Sequence, residues 1–242
     1  MKTHIQNLLN QQKDYIRDTY RHLHANPELS FEEYETAAFV CNELDKMQIP
    51  YQSGIAGTGI LARVEGRNPE KRYIALRADM DALPVCETVD VAWKSKNENV
   101  MHACGHDAHT ACLLGAAAVL NQIRDEFEGT VLLVFQPGEE KAPGGARLML
   151  EAGLFDEYKP ELIIAQHVSV DFPTGTMAFL SGKIMASADE IHVKIKGTGG
   201  HGALPHLLND TVLATAQTLV SLQQVKSRLC SPLTPMVLTF GK

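Results

Sequence analysis

The chain has 242 residues, 45% hydrophobic and 21% charged, an ordinary globular composition with room for one large domain or one domain plus part of a second. A formal net charge of −7 and ten scattered histidines form no basic stripe, which excludes a nucleic-acid partner of the usual kind. No apolar run is long enough for a signal peptide or a membrane span, and five widely spaced cysteines argue for reduced thiols, so the expected location is the cytoplasm with no membrane partner.

Residues 3–24 read as a helix from Ile5, Leu8, Leu9, Ile16 and Leu23, and Asn26-Pro27 breaks it. Ser30 with Glu33 three residues on has the form of a capping box for a second helix running to about Met47. Residues 59–64 and 73–77 read as strands, the second leading into Asp79-Met80-Asp81. An alanine-rich helix is expected over 110–123, small enough in its side chains to pack closely on a sheet. Cys41 and Cys112 fall within helical apolar patterns and read as small core residues. The continuous apolar run 131–135 marks a strand covered on both faces, ending at Pro137-Gly138. A helix over about 145–152 and a further buried strand at 162–165 complete the alternation, which indicates a three-layer α/β/α sandwich.

The character changes near Ser181. Residues 190–196 alternate polar and apolar as a half-exposed strand does, Gly197–Gly202 is a turn, and a helix over about 210–225 precedes a strand at 236–240. The expected division is therefore a catalytic α/β domain over 1–181 and a two-layer α+β domain over 182–242 that lacks its closing elements.

Three clusters carry chemistry. Met101–His109 holds three histidines, Cys104 and Asp107, a dense set of metal-ligand types, with Gly105 letting Cys104 and His106 turn toward one ion. Glu139 and Glu140 follow a core strand, where open α/β sheets place their ligands, and adjacent carboxylates in a turn can aim one at an ion and one at water. His167 again lies just past a strand. Taken singly, each histidine or glutamate is more readily a solvated or satisfied polar residue; their convergence at strand ends favours one site. Asp79 and Asp81 end a fourth strand and could orient a histidine ligand from behind.

Together with Arg21–His24, Asn26–Leu29, Leu76–Pro84, Gly144–Ala146 and Gly199–His206, these motifs resemble the M20 family of metallopeptidases and amidohydrolases, nearest the branch of hippurate hydrolases, N-acetyl-diaminopimelate deacetylases and plant auxin-conjugate hydrolases. The resemblance implies that Cys104, His106, Glu140 and His167 ligate one or two divalent ions, zinc or manganese with cobalt or nickel also suited. It implies that Glu139 is the general base and then acid, that Asp81 supports a ligand, and that His201 stabilises the oxyanion from a lid that is also a homodimer surface. Members of the family are longer, with a last histidine ligand after the lid, and Asp79 stands where many of them have histidine.

The expected function is hydrolysis of the amide bond of small N-acyl (N-acetyl or aromatic acyl) amino acids. The alternatives are a truncated relative that folds and binds metal weakly without turnover, and a thiol hydrolase with Cys104 as nucleophile, which would leave Glu139, Glu140 and His167 without roles.

Overall fold

The computed structural model describes residues 2–241. The chain divides into two compact units, Met1–Pro173 and Thr174–Lys242. In chain order the first unit contains α1 (Lys2–Gln11), α2 (Lys13–Ala25), α3 (Tyr34–Lys46), β1 (Tyr51–Ile55), β2 (Gly59–Glu65), β3 (Tyr73–Asp79), α4 (His106–Gln122), β4 (Thr130–Gln136), α5 (Gly145–Glu151) and β5 (Leu162–Ala165). The strands form one sheet in the order β1-β2-β4-β3-β5. β1, β2 and β4 pair antiparallel, whereas β4, β3 and β5 run parallel.

β4 lies at the centre, and its apolar run serves both faces by the two-residue alternation of a strand. Leu133 and Phe135 join Ile60, Ala62 and Val64 of β2 against Val40 and Leu44 of α3 and Leu113, Leu114 and Ala117 of α4. Leu132 and Val134, with Leu61 and Ala75, face Met149 of α5 and Leu154 on the other side. Helices on both faces of a mixed sheet make the three-layer α/β architecture expected from the sequence. The small residues of α4 also admit a second helix: a Cβ on Gly115 would stand 2.5 Å from the Ile16 side chain of α2.

Several local expectations are corrected. The first helix is two, divided at Gln12, whose backbone stays right-handed (φ −89°, ψ −2°). The capping box is absent. Ser30 Oγ donates to Asp81, and it is the Glu28 carboxylate that accepts the N–H groups of Glu35 and Thr36 at the start of α3 (3.1 and 2.7 Å). Glu33 is fully buried and instead accepts from Phe31 N, Thr58 Oγ1 and Gly138 N, which ties the loop before α3 to the loop after β4. β1, interrupted by Gly54, had no clear strand pattern and is defined by its pairing with β2. β5 has its expected bounds but is not buried: it is the last strand of the sheet, and Leu162, Ile163 and Ile164 are each about half exposed. Cys112 is likewise exposed rather than a core residue.

The second unit contains α6 (Thr211–Gln224), capped by Asp210, whose Oδ1 accepts the Leu213 N–H at 2.9 Å. Residues 190–196 and 236–240, expected as strands, form no ladder among the described residues. Alternation alone does not make a strand; its backbone groups need a neighbour, and Ile191 and Val193 remain largely exposed.

Candidate metal centre

β3 and β4 run parallel and in register, with Asp79 opposite Gln136, so the segments that follow them leave the same edge of the sheet. β3 continues into Asp81, β4 into Glu139 and Glu140, and β5 into His167, while α4 begins at His106. Gly105, the residue before α4, has φ +89°, and a Cβ there would meet Val168 Cγ2 at 2.4 Å. Glycine is required at this point both for the left-handed turn and for the approach of the β5 loop.

Asp81 organises the site. It is 1% exposed, and its Oδ2 accepts from Ser30 Oγ (2.6 Å) and from the Glu140 N–H (2.9 Å). His106 Nδ1 donates to the Asp81 carbonyl at 2.9 Å and lies 3.2 Å from Asp81 Oδ1. Burial alone would raise the Asp81 pKa, but the hydrogen bonds from His106, Ser30 and the Glu140 backbone outweigh it and bring it down to about 2. With Nδ1 occupied as a donor, the neutral His106 ring presents the lone pair of Nε2.

That atom and Glu140 Oε1 are both buried, 3.8 Å apart, and neither has a hydrogen-bond partner. Cys104 Sγ lies 3.3 Å from His167 Nε2, and the His167 ring is turned by its own Nδ1, which donates to the Val168 carbonyl at 2.6 Å. The ligand-type atoms of Cys104, His106 and His167 all lie within 4.8 Å of one another, as do those of His106, Glu139 and Glu140. Donors about 2.0–2.3 Å from a tetrahedral ion stand roughly 3.3–3.8 Å from each other, and the Cys104–His167 and His106–Glu140 separations of 3.3 and 3.8 Å fit that spacing.

The electrostatics point the same way. Burial, then Glu140 and Glu139, push the Cys104 thiol up to about 12, a value that a cation among the same atoms would reverse. Partial desolvation and the Glu140 charge raise Glu139 as well. Burial would lower His106, but Asp81 and the charges of Asp79 and Glu140 raise it on balance. The atoms concerned carry too much negative charge for their burial, and positive charge is what would relieve them.

A third group, Asp79, His106 and His109, meets the same distance criterion. Two of its members, Asp79 and His109, are already engaged with each other. His109 Nδ1 lies 2.6 Å from Asp79 Oδ1, and Arg77 Nη1 donates to Asp79 Oδ2 at 2.6 Å.

Beside the cluster is a cavity of about 620 Å³ lined by Tyr20, His24, His102, Cys104, His167 and Val168 among others. His102 is 5% exposed, its ring atoms have no partner, and burial lowers it to about 4. His24 is clasped between two buried carboxylates, Asp107 Oδ2 at 2.7 Å and Glu87 Oε1 at 3.1 Å. The Asp107 hydrogen bond, opposed by burial and helped by Glu87, raises it to about 9.

The site therefore gathers Cys104, His106, Glu139, Glu140, His167 and Asp81 in the first unit. His201 belongs to the second unit, where it is exposed and its Nδ1 accepts the Ala203 N–H at 3.1 Å. Sequence reasoning missed the roles of Glu33, His24 and the His109–Asp79 pair. Apart from the Phe31 N–H, their partners lie 25 to 105 residues away, and no local spacing signals them.

Comparison with known proteins shows the family of the chain. An N-acyl-L-amino acid amidohydrolase of Geobacillus stearothermophilus is 42% identical over 98% of this chain and 64% of its own length. A solved structure from methicillin-resistant Staphylococcus aureus superposes with a TM-score of 0.80 at 32% identity, over all of this chain and 64% of its own. The Bacillus subtilis YXEP protein, described as a dinuclear metal-binding peptidase from the M20 family, matches 69% of this chain and 45% of its own with a TM-score of 0.62 and 40% identity. The chain spans between 51 and 64% of the length of the curated relatives it matches. The family model for peptidase family M20/M25/M40 matches residues 75–237, well over half of the sequence, and the chain belongs to that family.

Proposed function

We propose that this protein is a metal-dependent amidohydrolase that cleaves the amide bond of N-acyl amino acids, with Cys104, His106, Glu140 and His167 as metal ligands. The observation that carries the proposal is the pair of buried, unpartnered atoms, His106 Nε2 and Glu140 Oε1, facing each other at 3.8 Å beside a thiol and a second imidazole. Mixed sulfur, nitrogen and oxygen donors suit zinc, and also manganese, cobalt or nickel. One or two such ions, when bound, supply polarisation of the acyl carbonyl and acidify water.

The chain's own groups do the rest. Asp81 holds His106 with its Nε2 lone pair toward the cluster and pins the Glu140 backbone, so both ligands are aimed before anything binds. Glu139 is the exposed member of the carboxylate pair, and its raised pKa suits a group that takes a proton from the attacking water and returns it to the leaving nitrogen. His201 is assigned to stabilise the oxyanion. Residues 182–242, which lie within the second unit, serve as lid and homodimer surface, and the enzyme works in the cytoplasm on small N-acyl amino acids.

Glu139→Gln is the direct test, assayed with a panel of N-acetyl and aromatic N-acyl amino acids alongside metal content. Turnover should be lost while stoichiometric metal remains. Retained turnover would remove Glu139 from the mechanism, and wild-type chain that holds metal without hydrolysing any of the panel would favour the inactive alternative.

A further inference from the structure

His109 is 1% exposed and both of its ring nitrogens are committed. Nε2 stands 2.9 Å from the backbone nitrogen of Val168, which can only donate, so Nε2 accepts and carries no proton. Nδ1 is then the protonated nitrogen, and it donates to Asp79 Oδ1 at 2.6 Å. Asp79 is itself held by Arg77, whose Nε also donates to Gln136 Oε1 at 2.9 Å, so the chain of bonds is rooted in β3 and β4. At its other end Val168 adjoins His167 and accepts, through its carbonyl, the hydrogen bond that turns His167 Nε2 toward Cys104. The His109 and His167 rings pack edge to face with centroids 4.7 Å apart.

We infer that His109 is a positioning residue: through the Val168 N–H it fixes where the loop after β5 presents His167, and it gives no lone pair of its own to an ion. The inference rests on the metal-centre reading above. Two of the site's candidate ligands, His106 and Glu140, are fixed by bonds to Asp81, and His106 starts a helix, but His167 stands on an exposed loop beyond an edge strand. Among the described residues of the first unit, the only side-chain bond to the backbone of residues 167 and 168 from another element is the one from His109. Supports of this kind alter metal affinity by about 10–100-fold when removed.

Two isosteres separate the two halves of the histidine. In His109→Gln the side-chain oxygen reaches the place of Nε2 and can still accept from Val168. In His109→Asn the side-chain NH2 reaches the place of Nδ1, keeping the Asp79 bond and losing Val168. Cobalt(II) titration of the 242-residue chain, followed by thiolate-to-cobalt absorption, reads affinity and Cys104 ligation together.

The expected result is that His109→Asn weakens cobalt binding by about 10–100-fold while His109→Gln stays near wild type. His109→Asn added to His167→Ala should cost nothing beyond His167→Ala alone. Equal losses in both isosteres, or additive losses in the double variant, would overturn the role. If the wild-type chain takes up no cobalt, the metal centre fails and this inference with it; uptake that is unchanged in His109→Asn sinks the positioning role alone. Nitrogen NMR on wild-type protein decides the matter should the Asn variant not fold. Nε2 must be unprotonated and coupled across the hydrogen bond to the Val168 amide, and the opposite tautomer refutes the inference.

Discussion

Replacing His24 by glutamine removes the one cation from a nest of two buried carboxylates. The His24 ring is 10% exposed and the carboxylates of Glu87 and Asp107 are 2% exposed, at 3.1 and 2.7 Å. Taking one partner out of a buried ion pair costs about 3–5 kcal/mol, because the charges left behind stay desolvated. For a protein of this size that lowers the melting temperature by roughly 10 °C. The clasp also makes stability depend on pH. His24 is raised from 6.5 to about 9 in the folded chain, so its stabilisation is complete below pH 6.5 and is lost as pH rises through 9. Full linkage over that span is about 3 kcal/mol, and the adjoining open cavity screens it to about 2 kcal/mol. Trp93, the single tryptophan, stacks under Arg21 at 4.3 Å beside this region and reports unfolding by fluorescence. Urea titrations of wild type and His24→Gln from pH 6 to 10 should show a gap that narrows by about 2 kcal/mol as the wild type loses its proton. A gap that is constant across that range would refute the clasp as the source of the stability.

Asp81→Asn keeps the shape and removes an acceptor. The amide NH2 must face either the Glu140 N–H, which then loses its acceptor, or His106 Nδ1–H, which keeps the residue 81 backbone carbonyl but meets a donor at the 3.2 Å position of Oδ1, at a cost of about 1–3 kcal/mol. Zinc affinity measured by competition with a chelator should fall by about 10–100-fold; wild-type affinity would show that Asp81 does not aim the ligands. Gly105→Ala forces a side chain into φ +89° and against Val168 Cγ2. A loss of about 1–3 kcal/mol in chemical denaturation, with weaker metal binding, is expected, and an unchanged protein would contradict the crowding at that turn.

How much was legible in the sequence depended on whether the signal was local. β4 could be read because Val131–Phe135 is apolar without interruption and stops at Pro137-Gly138, as a short strand covered on both faces does. The ligand cluster could be read because Cys104, Gly105 and His106 are neighbours, and Glu139 and Glu140 are adjacent. Ser30 and Glu33 misled because they have the spacing of a helix cap, yet long-range partners claim both side chains. β5 misled because an apolar tetrapeptide reads the same at the centre of a sheet as at its rim. His109 was visible as one histidine among three, but only the fold shows that both its nitrogens are already taken.

His106 belongs to all three groups of ligand-type residues. An imidazole is monodentate, and with Nδ1 bound to Asp81 it has a single lone pair to give. Occupancy of the three groups through His106 is therefore mutually exclusive, and whichever ion takes Nε2 withdraws it from the others. A second ion in the same cluster would have to be held without that nitrogen, and the donors left to hold it would be Cys104, Glu139, Glu140 and His167, so the number of ions the centre takes would be set by its thiol and carboxylates as much as by its imidazoles.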